Sequence, residues 1–112
     1  MEIEVEYITK QKQTINVEFP IYRKVASDGL ANEIVTYSKV FPVSGGKYRE
    51  IAIDFERYGE QQTVSVTDET KDFTVAAGGF DYELGRGKYS CTKEEWENAA
   101  ARARDFFAGA LF

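Results

Sequence analysis

The sequence has no histidine, one cysteine (Cys91), two prolines and one tryptophan. Without histidine the chain lacks the side chain that most often moves protons near neutral pH. A single cysteine excludes an internal disulfide, which fits a reducing compartment. No apolar run approaches the roughly 20 residues of a membrane-spanning helix. Phosphate-loop, nucleotide and zinc signatures are all missing, so no cofactor and no metal are expected. The start, Met1-Glu2-Ile3-Glu4-Val5-Glu6, is acidic and alternating, unlike the basic and then apolar start of a signal peptide. These absences point to a cytoplasmic protein that is not an enzyme.

What is present is the composition of one globular domain over residues 1–112, with 43% hydrophobic and 29% charged residues. Eight Phe, seven Tyr and one Trp favour a pleated, half-buried surface, hence strands. The net charge of −5 repels bare nucleic acid and favours a protein partner with a basic surface. Neither direct nucleic-acid binding nor membrane binding is expected.

Apolar and acidic residues alternate over residues 2–8, and alternation resumes at Ile15, Val17, Phe19 and Ile21, which predicts a hairpin with its turn at Lys10–Gln13. Pro20 marks an edge, a bulge or a strand end. Ser27-Asp28-Gly29 is a turn signal, and a strand is expected from Ile34 to Val43. After Ser44-Gly45-Gly46, a strand follows with Ile51, Ile53 and Phe55 inward. Two short strands, Thr63 to Thr67 and Phe73 to Ala76, are expected around Asp68–Lys71, and then an alternating piece at Phe80, Tyr82 and Leu84. The period changes at Thr92-Lys93-Glu94-Glu95, a capping box with Cys91 and Trp96 placed as a hydrophobic staple. Apolar residues recurring at helical spacing from Trp96 to Leu111 predict an amphipathic helix, with Trp96, Phe107 and Leu111 filling the core. The fold class expected is α+β: an antiparallel β-sheet of about five to seven strands with one C-terminal amphipathic helix packed on one face.

Catalytic candidates each have a plainer structural explanation. Cys91 precedes a helix N-terminus, which favours a thiolate, but no histidine can serve it as a base. Gly85-Arg86-Gly87-Lys88 has the flexibility and charge of an anion loop without the phosphate-loop spacing. Asp54, Glu56, Asp81 and Glu83 could approach the separation of glycosidase carboxylates, as could most pairs on an acidic sheet.

Binding candidates are more distinctive. Glu2, Glu4 and Glu6 share one face of the first strand, and Glu18 lies on the second, so that they make a negative stripe. Tyr22 beside Arg23, Tyr48 beside Arg49, and Tyr58 are tyrosines on polar faces or in loops, and Tyr and Arg are frequent interface anchors. The reading is a non-catalytic protein-binding module. A sharper form, by analogy with small phage and mobile-element inhibitors, blocks the basic groove of a nucleic-acid-processing enzyme. The alternatives are a structural homo-oligomeric subunit, such as a virion component, and a small carboxylate-dependent hydrolase.

Overall fold

Strand Glu33–Pro42 pairs along its whole length with strand Tyr48–Tyr58 in a computed structural model that describes residues 1–6, 12–28, 32–72 and 80–110. In chain order the strands are β1 (Glu2–Glu6), β2 (Lys12–Asn16), β3 (Ile21–Asp28), β4 (Glu33–Pro42), β5 (Tyr48–Tyr58) and β6 (Gln61–Lys71). The helices are α1 (Phe80–Glu83) and α2 (Lys93–Ala110). Strands β3 to β6 form a four-stranded antiparallel meander in sequence order, and β1 and β2 form a separate antiparallel pair. The architecture is α+β, with an antiparallel sheet of four strands and one long C-terminal helix. The described residues place four strands in the main sheet and do not confirm the expected five to seven.

Cross-strand partners share a face of the sheet, so the register sorts the side chains. Tyr37 faces Ile53, which faces Val66; Val35 faces Phe55, which faces Val64. This is the face that α2 covers. Tyr37, Ile53 and Phe55 are buried with Trp96, Ala99 and Ala103 of the helix, and Val64 packs at the margin of the cluster. Ala99 and Ala103 are almost fully buried, so small side chains let the helix lie close to the sheet. Tyr37 and Phe55 meet edge to face at 5.9 Å. The opposite face buries Ile21 directly across from Val40, and Arg23 across from Ser38.

The capping box forms as the spacing predicts. Thr92 Oγ1 accepts from the Glu95 amide at 3.1 Å, and Glu95 Oε1 accepts from the Thr92 amide at 3.2 Å. Cys91 packs against the cluster that holds Trp96, which completes the staple. The far end of the predicted apolar face does not reach the core: Phe107 is exposed, and Leu111 lies outside the described residues.

Several boundaries differ from the sequence reading. Lys12 and Gln13 belong to β2 rather than to a turn, and the expected run through Ile21 ends at Asn16. A bend at Phe19-Pro20, whose peptide is cis, separates β2 from β3. Ser27 and Asp28 continue β3, paired with Ile34 and Glu33, while Gly29 lies outside the described residues. Residues 61–71 are one eleven-residue strand instead of a short strand and a turn. The expected strand Phe73 to Ala76 lies outside the described residues. The alternating piece at Phe80 is helical, and a 3₁₀ turn at Gly87–Tyr89 follows.

Candidate interaction surface

The structure distributes the predicted binding residues over several surfaces. Glu2 and Glu4 are exposed on β1, opposite Asn16 and Thr14. Glu6 is opposite Lys12 in the register, and its side chain lies outside the described residues. Glu18 is exposed just beyond the end of β2, where the Val17 amide donates to the Met1 carbonyl at 2.7 Å. The described part of the acidic stripe is therefore accessible and runs from the end of the β1–β2 pair at Glu2 to its middle at Glu4.

The tyrosine–basic pairs are split by strand alternation. Tyr22 turns to the helix face and packs against the core cluster. Arg23 turns to the opposite face and is buried, ion-paired with Glu50 and lying 3.7 Å from Glu83. Its guanidinium also sits 5.3 Å from the Tyr82 ring centroid. Burial lowers the Arg23 pKa, and its Nε has no partner. Arg23 is thus an internal cation and not a surface anchor.

Tyr48 is half-buried and stacks at 5.4 Å on Phe19. Arg49 grips Asp68 of β6 through two nitrogens, with Nε to Oδ1 at 2.7 Å. This bond raises the Arg49 pKa and lowers that of Asp68. Tyr58, at the tip of the β5–β6 hairpin, is half exposed; its hydrogen bond to Glu56 raises the phenol pKa.

The surface the sequence reading missed is the outer edge of β6. Of Gln61–Lys71 every residue but Val64 is exposed, Val66 to 46%. Strand β6 pairs with β5 alone in the sheet order. In an antiparallel strand, alternate residues aim N–H and C=O away from the paired neighbour, and among the described residues no strand receives them. The available signal was an unbroken run without Gly or Pro, rich in Thr, Val and Ser.

The groups with possible chemistry occupy structural positions. Burial, with Glu95 nearby, pushes the Cys91 thiol up, away from the thiolate a nucleophile needs. Asp54 accepts from Thr36 Oγ1 at 2.6 Å and Glu56 from Asn32 Nδ2 at 3.1 Å, both along the sheet surface. Glu83 is beside Arg23, and the side chain of Asp81 lies outside the described residues. Gly85 is wedged against the β3 backbone, and with Arg86 and Cys91 it lines an open crevice of about 290 Å³ that Glu18 also borders. An open crevice of about 230 Å³ between α2 and the sheet is floored by Tyr37 and Phe55 and rimmed by Arg57 and Arg102. Glu33 also lines it, and of the described candidate carboxylates Asp54, Glu56 and Glu83 do not. Among the described residues no cluster of three or more Cys, Asp or Glu could hold a metal ion, and no helix is long and apolar enough to cross a membrane.

In comparisons with protein families, curated proteins and solved structures, the chain matches none.

Proposed function

We propose that the chain is a non-catalytic protein-binding module and that the free edge of β6 is its contact element. The observation that carries this reading is the exposure of β6 along nearly its whole length, with no Pro in it. Such an edge presents backbone donors and acceptors that another strand can satisfy, and proteins that do not use an edge usually blunt it. The net charge of −5 and the exposed Glu2, Glu4 and Glu18 suit a partner with a basic surface. The sharper form is a cytoplasmic inhibitor, from a phage or mobile element, that occupies the basic groove of a nucleic-acid-processing enzyme.

The test is affinity capture from a lysate of the native host, read by mass spectrometry, with the natural chain and a Val66→Lys variant as baits. Val66 is half exposed, so the lysine is accommodated while it obstructs strand addition. The expected result is a protein enriched by the natural chain and lost with the variant. Equal capture by both baits removes β6 as the contact element, and no enrichment with a folded bait removes the binding-module reading.

A further inference from the structure

We infer that the occupant of the β6 edge is a second copy of this chain, paired antiparallel about a two-fold axis through Ser65. The inference rests on the reading of β6 as the contact element and supplies its partner.

The argument is the match of β6 with itself. A two-fold axis perpendicular to the sheet brings residues of the same face together. Centred on Ser65, it sets Val64 opposite Val66 of the second copy, Thr63 opposite Thr67, Gln62 opposite Asp68, and Gln61 opposite Glu69. Apolar residues meet apolar ones, hydroxyls meet hydroxyls, and each facing carboxylate meets an amide donor. Neighbouring registers are worse. Centred on Val66, the pairing sets Val64 against Asp68 and Thr63 against Glu69. Centred on Val64, it sets Glu60 against Asp68, two like charges face to face.

Continuity with the core favours the same register. Val64 packs at the margin of the cluster under α2, and Val66 lies beside Ile53 in the register of β5 and β6. Pairing about Ser65 joins Val64 and Val66 of both copies into one apolar strip on the helix face. The contact runs for about 27 Å, at roughly 3.4 Å per residue from Gln61 to Glu69. An edge contact of this kind is smaller than a standard interface of about 1,600 Å², so the dimer is weak and concentration-dependent.

The test is sedimentation equilibrium of the natural chain up to about 1 mM, where even a millimolar dimer is half formed. The expected mass rises from 12.7 kDa towards twice that value. Ser65→Lys sets two ammonium groups against each other on the axis and should abolish the rise, with circular dichroism confirming the fold. In a Cys91→Ala background, Ser65→Cys should oxidise to a disulfide-linked dimer, because facing side chains on the axis are within bridging distance. Thr67→Cys, which faces Thr63, should not. A monomer up to about 1 mM, a dimer indifferent to Ser65→Lys, or equal cross-linking through both cysteines overturns the inference. A monomer whose lysate capture is still lost with Val66→Lys keeps β6 as the contact element and removes only self-pairing.

Discussion

Gly85 meets two constraints at once. Its φ is +62°, and a Cβ there would lie 2.7 Å from the Tyr22 carbonyl oxygen and 2.9 Å from Arg23 Cγ. Gly85→Ala should therefore lower the unfolding free energy by about 2–4 kcal/mol, combining backbone strain with a clash against fixed backbone. Gly59→Ala, at φ +56° with no atom near its Cβ, should cost only about 1–2 kcal/mol. Urea denaturation of both variants measures the difference, and equal costs would show that β3 yields to the added methyl. The buried Arg23 supplies a second test. Glu50 is its ion-pair partner, so Glu50→Gln leaves a buried cation undercompensated and should cost about 3 kcal/mol in the same assay. Tyr22-Arg23-Lys24 looks like an exposed basic cluster in the sequence. Alternation along β3 separates Tyr22 from Arg23, but that the Leu84-Gly85 segment packs back onto Arg23 is a tertiary fact with no local signal. Asp68 gives the pH prediction. Its hydrogen bond from Arg49 depresses its pKa, so the pair's contribution is fully present above the unfolded value of about 3.9 and is lost as pH falls through the folded value. A carboxyl titration by NMR should show the Asp68 midpoint rise in Arg49→Gln; an unchanged midpoint would mean that the ion pair does not form in solution.

Among the elements, α2 was the most legible, because its start is encoded within a few adjacent residues. Thr92 and Glu95 cap each other, and Glu94 and Glu95 complement the positive end of the helix. Thr92→Ala should cost about 1 kcal/mol in thermal or urea unfolding, and a cost near zero would mean that the first turn frays without consequence. The helix C-terminal half was less legible: periodicity puts Phe107 on the apolar face, but the faces of β4 and β5 are met by Trp96, Ala99 and Ala103 first. Strand β6 was misread for a related reason. Asp68-Glu69-Thr70-Lys71 looks like a turn because it is polar on both sides, yet this end of β6 lies beyond the core cluster and is exposed, so neither of its faces has to be apolar. Ion pairs to β5 take the place of burial: Asp68 binds Arg49, and Lys71 binds Glu50 at 2.9 Å. In the same way, Phe80, Tyr82 and Leu84 alternate like a strand, but Phe80 and Leu84 are also one helical turn apart, and in so short a segment period alone cannot choose. For the candidate surface, the acidic face of β1 was visible in the alternation of its residues, whereas the edge of β6, unpaired among the described residues, depended on strand order.

The molecule as a whole is elongated, 51 × 34 × 22 Å, with a radius of gyration of 15.9 Å. A compact chain of this length is expected near about 13 Å. An extended shape leaves much of the sheet, and Glu2, Glu4 and Asn16 of the β1–β2 pair, facing solvent, so two kinds of association are open to one chain, and salt separates them. Docking of β6 in a basic groove draws in addition on the net charge of −5 and on Glu2, Glu4 and Glu18, and screening weakens it steeply. Self-pairing about Ser65 sets valine, threonine and serine against their like, and amides against carboxylates, with no facing pair of opposite charges; it should change little with salt. Affinity for a captured basic partner is therefore expected to fall by at least tenfold between about 50 mM and about 500 mM salt, while the dimer constant stays within about threefold. Both can be read by sedimentation on the same samples. A partner affinity indifferent to salt would sink the groove-blocking reading and leave the edge contact in place. A dimer that dissolves as salt rises would mean that charged side chains, and not the β6 strip, hold the two copies together.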